Sequence, residues 1–210
     1  MKKVVIILAL ITGFYNLQAQ DEERRGKEKK GGFEAENLFV GGDVTQGFSN
    51  SYTALGISPY FGYSINKYLD VAVSFNFNYI SQRLNDGYVD YGDKGRQTVY
   101  GPGAFVRVFP FKFIFAQGQF EHNFVKLKYL PGDNSPYMGY TEHIDANSLL
   151  VGAGYAGGRE EDNKSFYYFS ISWDVLRNKN SPYVDDLGRA VPIIRAGYNI
   201  ALFQGARYRR

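Results

Sequence analysis

The amino-acid sequence predicts an all-β chain: an eight-stranded, antiparallel, up-and-down transmembrane β-barrel. Three observations predict it. Period-two alternation of apolar and polar residues recurs eight times between residues 37 and 203. The connections alternate between short turns and longer loops. Aromatic side chains collect near both ends of the apolar faces. Composition agrees, with 18 Tyr, 17 Phe and 24 Gly, an enrichment that favours many strands and tight side-chain fitting.

The first twenty residues, MKKVVIILALITGFYNLQAQ, read as a secretory signal peptide. Lys2 and Lys3 supply its charge, and the apolar run Val4 to Ile11 is too short to span a bilayer as a helix. Residues 21–36, DEERRGKEKKGGFEAE, lack hydrophobic periodicity and read as a charged, disordered tail. The chain holds 24 Lys+Arg against 21 Asp+Glu, so the balance implies no basic face for nucleic acid. Cysteine is absent, which excludes a disulfide framework and a thiolate metal site.

The alternation places strands at about 38–47, 53–64, 69–80, 98–109, 113–127, 147–156, 166–175 and 193–203. The third, LDVAVSFNFNY at 69–79, shows the pattern best: Val71, Val73, Phe75 and Phe77 share one face, and Asn76 and Asn78 the other. The second strand carries Leu55, Ile57, Pro59, Phe61 and Tyr63 on its apolar face, the seventh Tyr167, Phe169, Ile171, Trp173 and Val175, and the eighth Ile194, Ala196, Tyr198, Ile200 and Leu202. Glycine falls mainly on the opposite faces, where a narrow interior needs it beside large neighbours. Pro59 and Pro102 sit inside strands of a sheet without edges, which predicts a β-bulge at each.

Tight connections are expected near Asn66-Lys67 and Pro110-Lys112, with a longer polar link at 158–164; the opposite end carries loops at 81–97, 128–146 and 176–192 and a shorter one at 48–52. That asymmetry fits periplasmic turns and extracellular loops. A strand of eleven residues at about 3.3 Å each, tilted near 45°, rises roughly 25 Å, the height of an outer-membrane apolar band. Tyr63, Tyr155 and Tyr167 at the short-turn end, with Tyr79, Tyr100 and Trp173 at the other, are expected as two interface belts. A secreted soluble sandwich also alternates but accounts for neither the belts nor the loop asymmetry.

The chain resembles small eight-stranded outer-membrane barrels of the OmpX and OmpA-domain type, and more closely the PorT-type outer membrane protein beta-barrel families. The residues that carry the resemblance are the ending LQAQ of the signal, the hairpins over 37–203 and the closing strand PIIRAGYNIALF at 192–203. It implies fold and location in the bacterial outer membrane more than an activity. Such barrels commonly end on an aromatic residue, whereas here Phe203 is followed by QGARYRR, expected as a basic periplasmic tail at 204–210.

The inward face is expected to hold Asp43, Asp70, Arg107, Gln117, Gln119, Glu121, Asn123, Asp174, Arg195 and Asn199. Buried charges must pair, so the reading is a polar plug built on a network of Asp43, Asp70, Arg107, Glu121, Asp174 and Arg195. The expected pairs are Asp70 with Arg107 and Asp174 with Arg195; the alternative is a narrow gated pore lined by the two arginines. Catalysis is not expected. His122 lacks a serine two residues on, and His143 with Asp145 has no identifiable nucleophile. No cofactor or metal is implied. NSPY occurs at 134–137 and again at 180–183, which makes Tyr137 and Tyr183 a candidate contact surface on one rim, against simple turn chemistry. Acidic loop positions Asp86, Asp90, Asp93, Asp185 and Asp186 follow no calcium-loop spacing. The expected role is structural or interactive, with outer-membrane lipid and lipopolysaccharide around the wall, an outer-membrane or periplasmic protein as partner, no nucleic acid, and both termini in the periplasm. A narrow channel is the alternative, and a lipid-modifying enzyme a remote one.

Overall fold

The computed structural model describes residues 33–49, 52–84, 91–160, 164–184 and 187–203. The expected signal peptide, residues 21–32 of the charged tail and the basic tail at 204–210 lie outside the described residues. Eight strands follow one another: β1 (Leu38–Ser49), β2 (Tyr52–Asn66), β3 (Leu69–Arg83), β4 (Lys94–Phe111), β5 (Ile114–Leu130), β6 (Tyr140–Gly157), β7 (Phe166–Asp174) and β8 (Ile193–Ala201). Each pairs antiparallel with the next, and β8 returns to pair with β1, so the sheet is a closed eight-stranded ring. Closure gives every strand a partner on both sides over the shared height of the ring and so removes the free edges that an open sandwich would leave there.

The sides of the ring follow the parity of the sequence. On β3, Asp70, Ala72, Ser74, Asn76 and Asn78 are buried, while Val73, Phe75 and Phe77 are exposed. The contrast is sharp at neighbouring positions: Asn76 is 0% exposed, and Phe75 beside it is 49% exposed. This is the inverse of a soluble core, in which the apolar side would be the hidden one.

The interior is narrow, and the inward glycines show why. A Cβ at Gly62 would strike the Phe39 ring, and one at Gly154 would strike the Phe115 ring. Each glycine gives its neighbour's aromatic ring room to lie across the lumen. The resulting layer at the short-turn end joins Phe39, Tyr60, Phe105, Phe109, Phe115, Phe166 and Tyr168. It went unforeseen, because the inner face reads as polar when only the middle of each strand is weighed.

Three differences from the expected elements have physical causes. The strands β3 to β6 run further toward the long-loop end than the alternation suggested, to Arg83, Lys94, Leu130 and Tyr140. A ladder needs only backbone partners, whereas the polarity contrast fades where both faces are polar. Pro59 and Pro102 bring no bulge. Pro59 keeps its place opposite Gly42, and the β2–β3 pairing lapses between Ile57↔Phe77 and Tyr60↔Ser74 without any shift of register. Pro102 likewise keeps Phe75 opposite it while the β4–β5 pairing skips from Tyr100↔Phe124 to Gly103↔Glu121. A missing N–H removes a bond on one side only, so the ladder steps over it. The irregularity on β4 falls between Val108 and Phe111, at Pro110, beside the turn. Finally, ordered structure begins before residue 37: Ala35–Asn37 forms a 3-10 turn, and the Glu34 N–H and the Asn37 amide both donate to the Tyr63 hydroxyl at 3.2 and 3.3 Å.

The wall is uneven. β4, β5 and β6 have 18, 17 and 18 residues, but β7 and β8 have nine each. On the low side, the connection from β7 to β8 folds over the mouth of the ring.

Candidate functional site

The lumen is the candidate site, and it is filled. At the short-turn end Asp70 accepts from Arg159, Nη1 to Oδ2 at 2.7 Å, and Arg159 stands 3.6 Å over the Phe109 ring. Arg107 comes next. Its guanidinium lies 4.5 Å from the Tyr168 ring centroid, 4.6 Å from Phe115 and 4.8 Å from Phe105, and donates to the Gln117 Oε1 from Nε at 3.0 Å and Nη2 at 2.8 Å. A cation desolvated among ring faces gains from their quadrupoles.

Period two then builds a ladder up β5. The Gln117 amide donates to Gln119 at 2.8 Å, and the Gln119 amide to Glu121 at 2.8 Å. Arg195 on β8 crosses the ring to both, reaching Gln119 at 3.1 Å and Glu121 at 2.9 Å, with Asp43 at 3.8 Å from its Nε. Asp43 also accepts from the Tyr168 hydroxyl at 3.0 Å. Above Glu121 the chain continues through the β7–β8 loop. Tyr183 donates its hydroxyl to Glu121 at 2.8 Å, Ser181 contacts Ser148 at 2.9 Å and donates to Asp174 at 2.7 Å, and Asp174 takes the Leu149 and Leu176 N–H groups at 3.1 and 3.0 Å. Tyr183, Leu150 and Ile193 close over the top as an apolar cluster.

All six residues expected in the lumen charge network lie there: Asp43, Asp70, Arg107, Glu121, Asp174 and Arg195 are buried. The two expected pairings are not the ones formed. Asp70 does lie opposite Arg107 in register, yet its carboxylate is taken by Arg159 from the β6–β7 link, and Arg107 extends instead into the aromatic layer. Asp174 is not beside Arg195, because the β7–β8 register sets Arg195 opposite Ser170, four residues below. Arg159 escaped notice because a residue in a polar link reads as solvated; the signal for it was a carboxylate, Asp70, with two cations in reach.

The interface aromatics point outward, with Tyr100, Tyr155, Tyr167 and Trp173 exposed and Tyr63 and Tyr79 partly so. The two NSPY tyrosines part company. Tyr137 is 57% exposed, whereas Tyr183 is 9% exposed and serves the plug, so the shared contact surface does not exist. Low walls at β7 and β8 leave the mouth open on that side, and the second NSPY loop covers it. His122 lies on the outer face, its Nδ1 2.7 Å from the Asn147 Oδ1. His143 and Asp145 share the outer face of β6 with no hydrogen bond between them among the described residues.

At the rim, Asp93 is the one expected acidic loop residue among those described, and it organises the β5–β6 loop. It accepts from the Tyr129 hydroxyl at 2.6 Å, the Gly132 N–H at 2.8 Å and the Ser135 hydroxyl at 3.2 Å. The Gly132 N–H, then the Tyr129 hydroxyl, hold its carboxyl below the usual 3.8. A depressed folded value means that the order it confers is complete above the ordinary carboxylate range and is lost as pH falls through the lowered value. Proteolysis of the loop 131–139 in the folded barrel is expected to rise only below that range. Asp93→Asn is expected to remove the pH dependence; a variant that loses protection at the same acid pH as the wild type contradicts the assignment.

No family model and no curated protein matches the chain. Among solved structures it is similar to Ail, the attachment invasion locus protein of Yersinia pestis, in complex with the heparin analogue sucrose octasulfate, with 18% identity, 78% of this chain and 96% of that chain covered, and a TM-score of 0.43. A second Ail structure gives 15% identity over the same shares and a TM-score of 0.41. The N-terminal β-barrel domain of Pseudomonas aeruginosa OprF gives 12% identity, 78% and 95% coverage, and a TM-score of 0.39.

Proposed function

We propose that this chain is an integral outer-membrane β-barrel, closed inside by its own side chains, that serves as a structural scaffold or accessory subunit of an outer-membrane assembly. The observation that carries this reading is the inverted polarity of the whole ring. Each strand exposes large apolar side chains, among them Val44, Ile57, Phe75, Val106, Phe120, Val151, Phe169 and Ile194, while charged and amide groups fill the inside. Soluble proteins rarely expose apolar patches beyond a few hundred Å², and a band that encircles a closed barrel suits lipid. The short-turn end then faces the periplasm, with both chain ends on that side.

The continuous hydrogen-bond chain from Arg107 to Asp174 supports a sealed lumen over a pore. Purified full chain in planar bilayers is expected to show no ohmic steps; reproducible steps altered by Arg107→Ala or Arg195→Ala would return the channel reading. Protease added to intact cells is expected to cut at 84–93 or 131–139 and spare an epitope tag at residue 210, and loss of that tag would reverse the topology. Affinity purification from mild detergent tests the scaffold role, with a stoichiometric outer-membrane or periplasmic protein expected and the bare barrel counting against it.

A further inference from the structure

The eight strands contain seven lysine and arginine residues. Arg107 and Arg195 point into the lumen. The other five, Arg83, Lys94, Arg96, Lys126 and Lys128, are exposed on the outer face, and all stand at the long-loop end of three consecutive strands, β3, β4 and β5. Register joins them into one patch. Arg83 lies opposite Lys94, Arg96 opposite Lys128, and Lys126 opposite His143. Among the described residues one carboxylate, Asp145, shares this face, opposite Phe124. None of the five forms an ion pair among the described residues. Like charges directly opposite on neighbouring strands repel, so the patch is unfavourable for the barrel alone.

Its height identifies what would relieve it. Tyr79, Tyr100 and Phe124 face outward on the same three strands, and the Tyr100 and Phe124 rings lie 5.6 Å apart. Lys126 stands two residues beyond Phe124, and Lys128, Arg96 and Arg83 each stand four residues beyond their own strand's ring. At about 3.3 Å per residue and a tilt near 45°, those steps rise roughly 5–9 Å above the aromatic level. That is the depth of a headgroup layer, between apolar core and bulk water.

We propose that this patch binds the phosphorylated headgroup of an outer-leaflet glycolipid of the lipid A type, with Arg96 and Lys128 at its centre. The inference rests on the membrane-barrel reading above and adds its lipid partner. Arginine offers a planar fork to phosphate oxygens, and lysines add point charges. The Tyr100 and Phe124 rings beneath offer an apolar wall to acyl chains, which a free phosphate would not use.

The test places the full chain in phosphatidylcholine vesicles of three kinds: with bisphosphorylated lipid A, with the same glycolipid stripped of phosphate, and without glycolipid but with inorganic phosphate outside. The melting temperature of the folded barrel is read from its gel mobility. A rise is expected with phosphorylated lipid A alone. Arg96→Gln combined with Lys128→Gln should abolish at least half of that rise, while Arg96→Lys and the loop control Lys179→Gln should keep most of it. An equal rise with the stripped glycolipid or with inorganic phosphate, or an undiminished rise in the double variant, would overturn the proposal. Protease protection in plain vesicles separates the two readings: a chain that fails to insert anywhere sinks both, whereas insertion without phosphate dependence sinks only this one.

Discussion

Replacing Arg195 with alanine is expected to cost about 3–5 kcal/mol of folding stability. Its guanidinium is buried, holds Glu121 at 2.9 Å and Gln119 at 3.1 Å, and faces Asp43 at 3.8 Å. Truncation leaves two buried carboxylates without a cation, and the stranded charge rather than the lost contact dominates the loss. Gln119 and Tyr183 still donate to Glu121, but hydrogen bonds to an isolated buried anion recover only part of its desolvation. A double-mutant cycle measures the coupling. Arg195→Ala with Glu121→Ala should cost clearly less than the two single losses together, since removing both charges strands only Asp43. Urea titrations of refolding into vesicles supply the three values. Additivity within about 0.5 kcal/mol would mean that the pair is not coupled. Arg195→Lys should rescue poorly, because a single ammonium cannot reproduce the fork that reaches Gln119 and Glu121 together.

Val73→Arg is expected to cost roughly 2–4 kcal/mol when the barrel folds into lipid. Val73 faces outward near the middle of the apolar stretch 69–79 of β3, between the levels of Tyr63 and Tyr79, and is 62% exposed. On the surface of a soluble protein the same change would move stability by no more than about 0.5 kcal/mol. The two outcomes are well separated, so this substitution decides which solvent the outer face meets. A measured cost near zero would remove the basis for placing the chain in a membrane. Ser81→Arg, on the same face beyond Tyr79, should cost less than Val73→Arg, because it lies outside the apolar band and meets only the screened repulsion of Arg96 directly opposite it.

The apolar wall was legible because a strand reports its two faces at alternate positions, and both faces of LDVAVSFNFNY meet uniform surroundings. Strand order followed from the tight connections, which favour pairing of sequential neighbours, and from the alternation of short turns with longer loops, which is the mark of an up-and-down ring. The ends of β3 to β6 were less legible, since Arg83, Lys94, Leu130 and Tyr140 lie where no polarity contrast marks a strand and only backbone pairing continues it. Prolines misled in the same local way. Pro59 and Pro102 look like breaks in one dimension, but each has two neighbouring strands, and one keeps the register while the other is skipped.

By itself the sequence determined the class of fold, the side each strand residue faces and the six strand charges that share the lumen, because parity along a strand depends on backbone geometry alone; Arg159, in a link between strands, has no parity to report it. Only the tertiary structure decided which charge meets which. Asp70 pairs with Arg159 rather than Arg107, and Arg195 with Glu121 rather than Asp174, because partners across a closed ring are set by register, by the reach of long side chains and by the uneven height of the wall. The same geometry separated the two NSPY segments. Tyr137 stays at the exposed rim, while Tyr183 drops over the short strands β7 and β8 to donate to Glu121, since burying that ring and satisfying that carboxylate are possible only where the wall is low.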